Sequence, residues 1–120
     1  MRTRTILAAV LAMAASAAMA DELDDAHRLA VSGRDSYWNC LAREYQREDN
    51  KSLSGQDFTS LIASVCPSER QNFRVALVDY LSQQFPGAES GDPMSTANNA
   101  IAAAQKDVIT AFVRHKSAAK

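Results

Sequence analysis

Residues 54–85, SGQDFTSLIASVCPSERQNFRVALVDYLSQQF, shape the architecture of this chain because they contain its two clearest apolar stripes. Apolar residues recur there at the three- and four-residue spacing of one helix face. The first stripe consists of Phe58, Leu61, Ile62, Val65 and Cys66, and the second of Phe73, Ala76, Leu77, Tyr80, Leu81 and Phe85. Pro67 lies between the stripes, where it either begins a new helix or kinks a continuous one.

Polar and turn-forming residues mark the ends of this stretch. Ser54 is a predicted N-cap, and Asp57, three residues later, is its predicted reciprocal partner. Pro86-Gly87 is predicted to end the second stripe. The residues from Pro86 to Pro93 then form a turn-rich loop.

Two further helices are predicted on either side of this stretch. The upstream helix covers about Leu23 to Arg47, and Gly33 is a weak point that can split or bend it. The downstream helix covers about Ser95 to His115. Their apolar faces contain Leu23, Ala26, Ala30, Tyr37, Leu41 and Tyr45, and Ala97, Ala100, Ile101, Ala104, Val108, Ala111 and Phe112. Because alternating strand patterns are lacking, the predicted fold class is all-α, a small three- or four-helix bundle.

The two cysteines, Cys40 and Cys66, fall on the predicted buried faces of neighbouring helices. An even number of cysteines in a small secreted chain favours a disulfide. The bridge would close a loop of about 27 residues and contribute roughly 3–4 kcal/mol. Neither a C-x-x-C motif nor a histidine near either cysteine points to redox or metal chemistry. We therefore predict a structural disulfide between two helices and no metal site.

The first twenty residues have the layout of a secretory signal peptide. Met1–Thr5 is basic, Ile6–Ala15 is apolar, and Ser16–Ala20 ends in an A-x-A-like cleavage site. The predicted organisation is a signal peptide at 1–20 and one helical domain at 21–120. The predicted location is the periplasm or the outside of the cell.

Charge and hydropathy exclude several classes of partner. Loss of Arg2 and Arg4 with the signal would leave 11 basic and 14 acidic residues, a net charge of −3. A nucleic-acid-binding domain usually carries a basic face, so no nucleic-acid partner is predicted. No apolar run near eighteen residues follows the signal, so no membrane anchor is predicted after cleavage. Protein partners or a homodimer remain.

The only histidines, His27 and His115, lie on the first and last predicted helices. If these helices bring them together, they could ligate haem or a metal, with Asp24 or Asp25 as a third metal ligand. The C-x-x-C-H motif for covalent haem is lacking. Their positions near helix ends favour solvated side chains, and no cofactor is predicted.

The sequence also lacks a recognisable catalytic constellation. The carboxylates of Glu44, Asp57 and Asp79 are scattered rather than paired. The serines lack a nucleophile elbow, and the glycines form no phosphate-binding loop. We therefore predict no enzymatic activity and no catalytic residues.

Three aromatic residues, Tyr37, Trp38 and Tyr45, surround Cys40 in the sequence. Helical spacing places Trp38 beside Leu41 and Tyr45, which favours a core packed on the disulfide. Alternatively, Trp38 lies at the edge of the stripe and anchors a ligand or a partner.

Short motifs around the cysteines resemble known groups of proteins. Tyr37-Trp38-Asn39-Cys40 and Cys66-Pro67-Ser68-Glu69-Arg70 resemble small secreted helical proteins of proteobacteria with one cysteine pair and no assigned activity. Trp38-Asn39-Cys40 and Asn72-Phe73 resemble the HdeA-type periplasmic acid-stress chaperones, although that family separates its cysteines more widely. The second resemblance implies a dimer at neutral pH that acid opens to hold unfolded clients.

These observations favour a non-enzymatic protein of the periplasm or the secreted fraction, with a role in protein interaction or envelope stress. Two alternatives remain open at the level of sequence. One is an acid-activated chaperone, and the other is a helical bundle that binds a small ligand or haem.

Overall fold

The computed structural model describes residues 2–87 and 91–119, with side chains from Ala18 onward. It contains four α-helices: α1 (Arg2–Gln46), α2 (Gly55–Ser64), α3 (Pro67–Gln84) and α4 (Pro93–Ala118). A short 3-10 helix, Glu48–Asn50, follows α1. The described residues contain no strand. The predicted all-α bundle is confirmed.

Two sequence predictions fall partly outside this description. The side chains of residues 1–17, which make up most of the predicted signal peptide, are not among the described ones. Residues 88–90 of the predicted turn-rich loop also lie outside the described residues.

Helices α1 and α3 pack side by side in antiparallel directions. The His27 and Tyr80 rings lie 5.0 Å apart between their centroids at one end of the pair. Near the other end, Cys40 pairs with Cys66. Residue numbers therefore rise along α1 as they fall along α3, and one face of each helix is buried against the other.

Helix α4 runs antiparallel to α2 and α3 in succession. The Arg74 Nε atom of α3 donates to the Asn98 side chain of α4 at 2.9 Å. Further along α4, Phe112 stacks on Phe58 of α2, with 3.8 Å between the ring centroids. Helices α2 and α3 therefore lie end to end and together form one interrupted rod. With α1 and α4 as the other two rods, the four helices form a three-rod bundle.

The break in this rod is at Cys66. Its backbone is in the left-handed region (φ 57°, ψ 46°), which costs a non-glycine residue about 1–2 kcal/mol. Pro67 follows as the first residue of α3, so this proline begins a helix instead of kinking one. The Arg70 guanidinium donates to the backbone oxygens of Ala63 at 2.6 Å and Val65 at 3.4 Å. Arg70 thus satisfies carbonyls at the end of α2 from within α3.

The starts of α2 and α4 have side-chain caps. The Ser54 hydroxyl accepts a hydrogen bond from the Asp57 amide at 3.0 Å, which confirms the predicted N-cap. The Asp92 carboxylate accepts from the Met94 amide at 3.0 Å and caps α4. This cap and Pro93 explain why α4 begins two residues before the predicted start.

The core changes character along the bundle. Around the middle of α1 and in the first half of α4 it is rich in alanine (Ala26, Ala30, Ala97 and Ala104), with Ile101 among the alanines. At the other end it contains the largest fully buried side chains: Tyr37, Leu41, Phe58 and Ile62. One end of the bundle is therefore closely packed around alanine, and the other is filled by aromatic and branched residues.

Four sequence predictions need correction. Helix α1 is continuous through Gly33, where the close approach of α3 suits the missing side chain. It also begins well before the predicted start at Leu23. In the second stripe only Phe73 is buried, while Phe85 is 49% exposed because α3 ends one residue earlier and the backbone turns away. Ala111 is exposed as well.

Candidate functional site

The predicted cysteine pair is present. The Cys40 and Cys66 sulfurs lie at disulfide-bonding distance, and their Cα atoms are 6.2 Å apart. A Glu69 carboxylate oxygen lies within 4.8 Å of both sulfurs, and these three residues are the only group of potential metal ligands among the described residues. A closed disulfide has no thiolate to offer a metal. The pair therefore connects α1 to the junction of α2 and α3.

The three aromatic residues near Cys40 occupy different environments. Tyr37 is fully buried, and its hydroxyl accepts a hydrogen bond from the Gln105 amide at 3.0 Å. Trp38 and Tyr45 are partly buried and pack against the core. Tyr37 is therefore a core residue with a satisfied polar group.

The two histidines lie toward opposite ends of the bundle. His27 packs on Tyr80, whereas His115 lies with Tyr45 in a cleft near the end of α1. His27 and Tyr45 are 18 positions apart in one helix, which corresponds to about 27 Å. The structure therefore does not bring His27 and His115 into one ligand site.

A groove lies along the outer face of α1 and α3, with a volume of about 670 Å³. Nine residues line this α1–α3 groove: Leu29, Ser32, Gly33, Ser36, Glu69, Asn72, Val75, Ala76 and Asp79. Most are small or polar, but Leu29 is 62% exposed and Val75 is 57% exposed. Two large aliphatic side chains thus extend into solvent beside a groove of small residues.

The charged residues that line the α1–α3 groove are acidic. Glu69 and Asp79 are ten positions apart on α3, which corresponds to about 15 Å. Both contribute negative charge to the same groove, so its electrostatic potential favours a cationic partner.

The regular apolar stripes of the sequence do not predict this groove. Leu29 and Val75 fall outside the predicted core faces of their helices. A large aliphatic residue off the core face was the available signal, but single exposed apolar residues are common on protein surfaces. Their meaning depends on α1 and α3 being neighbours.

A second concavity, the C-terminal cleft, has a volume of about 450 Å³. It is lined by Tyr45, Gln46, Lys51, Phe112, His115, Lys116 and Ala119. The Lys116 ammonium donates to the Leu53 backbone oxygen and lies 5.7 Å from the centre of the Phe112 ring. The cleft therefore combines aromatic side chains with basic ones.

The ion pairs among the described residues are local. They join Arg28 to Asp25, Arg34 to Asp35, Arg47 to Glu44 and Lys51 to Glu48. Each pair spans three positions or fewer and lies largely at the surface. Such pairs contribute little to stability, and none of these four connects two of the α-helices.

Comparisons with family models, with curated proteins and with solved structures find no match to this chain. Within the part of the chain that the structure describes, no helix combines the length and apolar character needed to cross a membrane.

Proposed function

We propose that this protein is a non-enzymatic binding module of the cell envelope or the secreted fraction, and that its α1–α3 groove receives an amphipathic helix of a partner protein. The observation that carries this proposal is the exposure of Leu29 and Val75 beside a groove of small residues. Exposed aliphatic side chains around a groove are typical of surfaces that bind an amphipathic helix.

The size of the groove favours a single helix as its occupant. Nine residues line it, whereas a standard protein–protein interface uses about 20–30 residues on each side. A helix that inserts its apolar ridge needs only a narrow groove between two parallel or antiparallel helices. In a homodimer joined through this groove, Glu69 and Asp79 of one copy would face the same two carboxylates of the other. This repulsion disfavours a second copy as the occupant.

The charge of the groove specifies the partner further. Glu69 and Asp79 favour lysine or arginine residues beside the apolar ridge of the bound helix. The disulfide joins the two elements that form the groove, so little ordering is needed when the helix binds.

A pair of designed peptides tests the proposal. Each has about 18 residues, or five helical turns, with a leucine ridge; one carries lysines beside the ridge and the other glutamates. We expect the lysine peptide to bind and to shift amide resonances along the groove, and the glutamate peptide to bind at least about tenfold more weakly. Equal binding of both peptides would contradict the assigned charge.

Matched variants locate the binding surface. Leu29→Ser with Val75→Ser is expected to abolish peptide binding while the helical content is kept, because both side chains are exposed. Met94→Ser is the control, since Met94 is 44% exposed but lines no part of the groove. Peptide binding that survives the double variant would place the peptide elsewhere. If the unaltered protein sediments as a dimer and the double variant as a monomer, the occupant of the groove is a second copy of this chain and not a partner helix.

The acid-activated chaperone remains a prediction from the resemblance to HdeA-type proteins. The four local ion pairs described above offer it no contact between helices that protonation would break. Suppression of client aggregation in acid but not at neutral pH would support it, and equal behaviour at both would remove it.

A further inference from the structure

We infer that the C-terminal cleft is a binding site for an amphipathic monoanion, a carboxylate attached to an alkyl or aryl body of moderate length. The site lies beyond the α1–α3 groove, and the two share no lining residue. The inference therefore does not depend on the proposed partner helix.

The apolar part of the cleft is held in place by the core. Phe112 stacks on the fully buried Phe58 with 7° between the ring planes, and Tyr45 packs against the same core. Phe112 is only 6% exposed, so the apolar surface that a ligand can reach is mainly that of Tyr45 and Ala119. Because the core holds Tyr45 in place in the absence of a ligand, this surface needs little rearrangement on binding.

The basic part of the cleft is positioned as well. The Lys116 ammonium is held by the Leu53 oxygen and lies over the Phe112 ring. An ammonium has three hydrogens to donate, so a further acceptor can bind to Lys116. Lys51 and His115 line the same cleft.

Among the described residues, none of those that line the cleft carries a carboxylate. Glu48 is bonded to Lys51 at 2.7 Å, but its side chain is 84% exposed. An exposed ion pair of this kind is weak and competes poorly with a ligand carboxylate that also buries its body. The charge of the cleft thus selects an anionic head group, and its exposed apolar surface selects an apolar body.

The volume of the cleft limits the ligand to one small molecule. About 450 Å³ lies within the usual range of small-molecule sites, which is about 300–1,000 Å³. A cleft formed near the end of α1 and α4 cannot enclose a haem with two histidine ligands, because His27 is distant from it. The cleft therefore suits a carboxylic acid, bound as its carboxylate, with a chain or ring of moderate size.

Titration with decanoate, below its micelle concentration, tests this inference on the oxidised full protein. Calorimetry measures the affinity, and amide resonances of residues 45–53 and 112–119 locate the site. Decanol, which has the same chain without the charge, is the matched ligand. We expect decanoate to bind about tenfold more tightly than decanol, the effect of one charge-assisted hydrogen bond.

Three variants complete the test. Lys116→Met keeps the aliphatic stem and is expected to weaken decanoate binding about tenfold. Lys51→Gln with His115→Gln removes two basic groups of the cleft. The ion pair lost with Lys51 is the local one to Glu48, so this variant carries the test if Lys116→Met fails to fold. Lys106→Met, on the exposed face of α4, is the control and should bind as the unaltered protein does.

Equal affinity for decanoate and decanol would overturn the inference, as would unchanged binding in both cleft variants. Absence of any resonance change at the cleft would overturn it as well. None of these results affects the peptide experiment on the α1–α3 groove, because Leu29 and Val75 lie outside the cleft.

Discussion

Gly33 of α1 lies directly against the backbone of Phe73 in α3. A Cβ atom at position 33 would be 3.0 Å from the Phe73 Cα atom and 3.4 Å from its nitrogen. Because the neighbouring atoms belong to the backbone, they cannot move aside as the end of a flexible side chain would. The absence of a side chain at Gly33 therefore sets how closely α1 and α3 approach.

Gly33→Ala is expected to lower the free energy of unfolding by about 1–2 kcal/mol. Overpacking against a backbone costs about 1–3 kcal/mol, and the better helix propensity of alanine offsets up to about 1 kcal/mol of this. Chemical denaturation measures the change. Gly55→Ala is the control, since its added Cβ would be 3.3 Å from a side-chain methyl of Val113 that can shift. A more stable Gly33→Ala protein would show that the two helices are not in close contact there.

The paired variant Cys40→Ser and Cys66→Ser is expected to lose about 3 kcal/mol of stability relative to the oxidised protein. The bridge restricts the unfolded chain over the 26 positions that separate the cysteines. Urea denaturation of both proteins, together with a thiol assay on the oxidised one, checks this. Two reactive thiols without reductant would contradict the pairing.

The left-handed backbone at Cys66 makes glycine and serine unequal replacements. In a Cys40→Ser background, Cys66→Gly should be about 1 kcal/mol more stable than Cys66→Ser, because glycine adopts this conformation without the penalty of a Cβ atom. At an ordinary N-cap the same two residues differ by only a few tenths of a kcal/mol, in favour of serine. Denaturation of the two variants side by side measures the difference, and a more stable serine variant would contradict the assigned backbone.

Arg70→Met is expected to cost about 1–2 kcal/mol, because it removes hydrogen bonds to two carbonyls at the end of α2. Arg43→Met, at an exposed position of α1, is the control and should change stability by no more than about 0.5 kcal/mol. Thermal unfolding followed by circular dichroism compares them. Equal effects would show that Arg70 does not hold the junction of α2 and α3.

Export is expected to remove residues 1–20. Met19 is 71% exposed, and the first described side chain that is buried in α1 is Ala26. Cleavage after Ala20 would therefore take no described side chain from the core. Native mass spectrometry of protein isolated from a periplasm should find a chain that begins at Asp21. An exported chain that still begins at Met1 would contradict the signal peptide.

Helix periodicity predicted most of the fold, since each stripe lies within one element and depends on local spacing. The spacing predicted α2 and the N-cap at Ser54, and the cysteine count predicted the bridge. The sequence did not predict that Gly33 lets α1 and α3 approach closely, because a glycine in one helix reveals nothing about the backbone that packs against it. The prediction that Phe85 belongs to the buried stripe was wrong. Its spacing fits the stripe, but α3 ends before it.

The candidate sites were harder to predict because each depends on two or more elements. Leu29 and Val75 are 46 positions apart, and only the antiparallel packing of α1 and α3 brings them to one groove. The C-terminal cleft likewise combines Tyr45 with Lys116. The histidine pair, for which the sequence favoured solvated side chains, shows the same dependence, since the two residues lie on neighbouring helices but toward opposite ends of the bundle.

The position of the disulfide has a consequence for proteolysis. Cys40 lies before the connection at residues 47–54, and Cys66 lies after it. A protease that cuts this connection would leave two fragments that are still covalently joined. Under non-reducing electrophoresis the nicked chain would migrate as one species, and only reductant would separate its pieces. A chain built in this way tolerates a cut at that connection without losing either half.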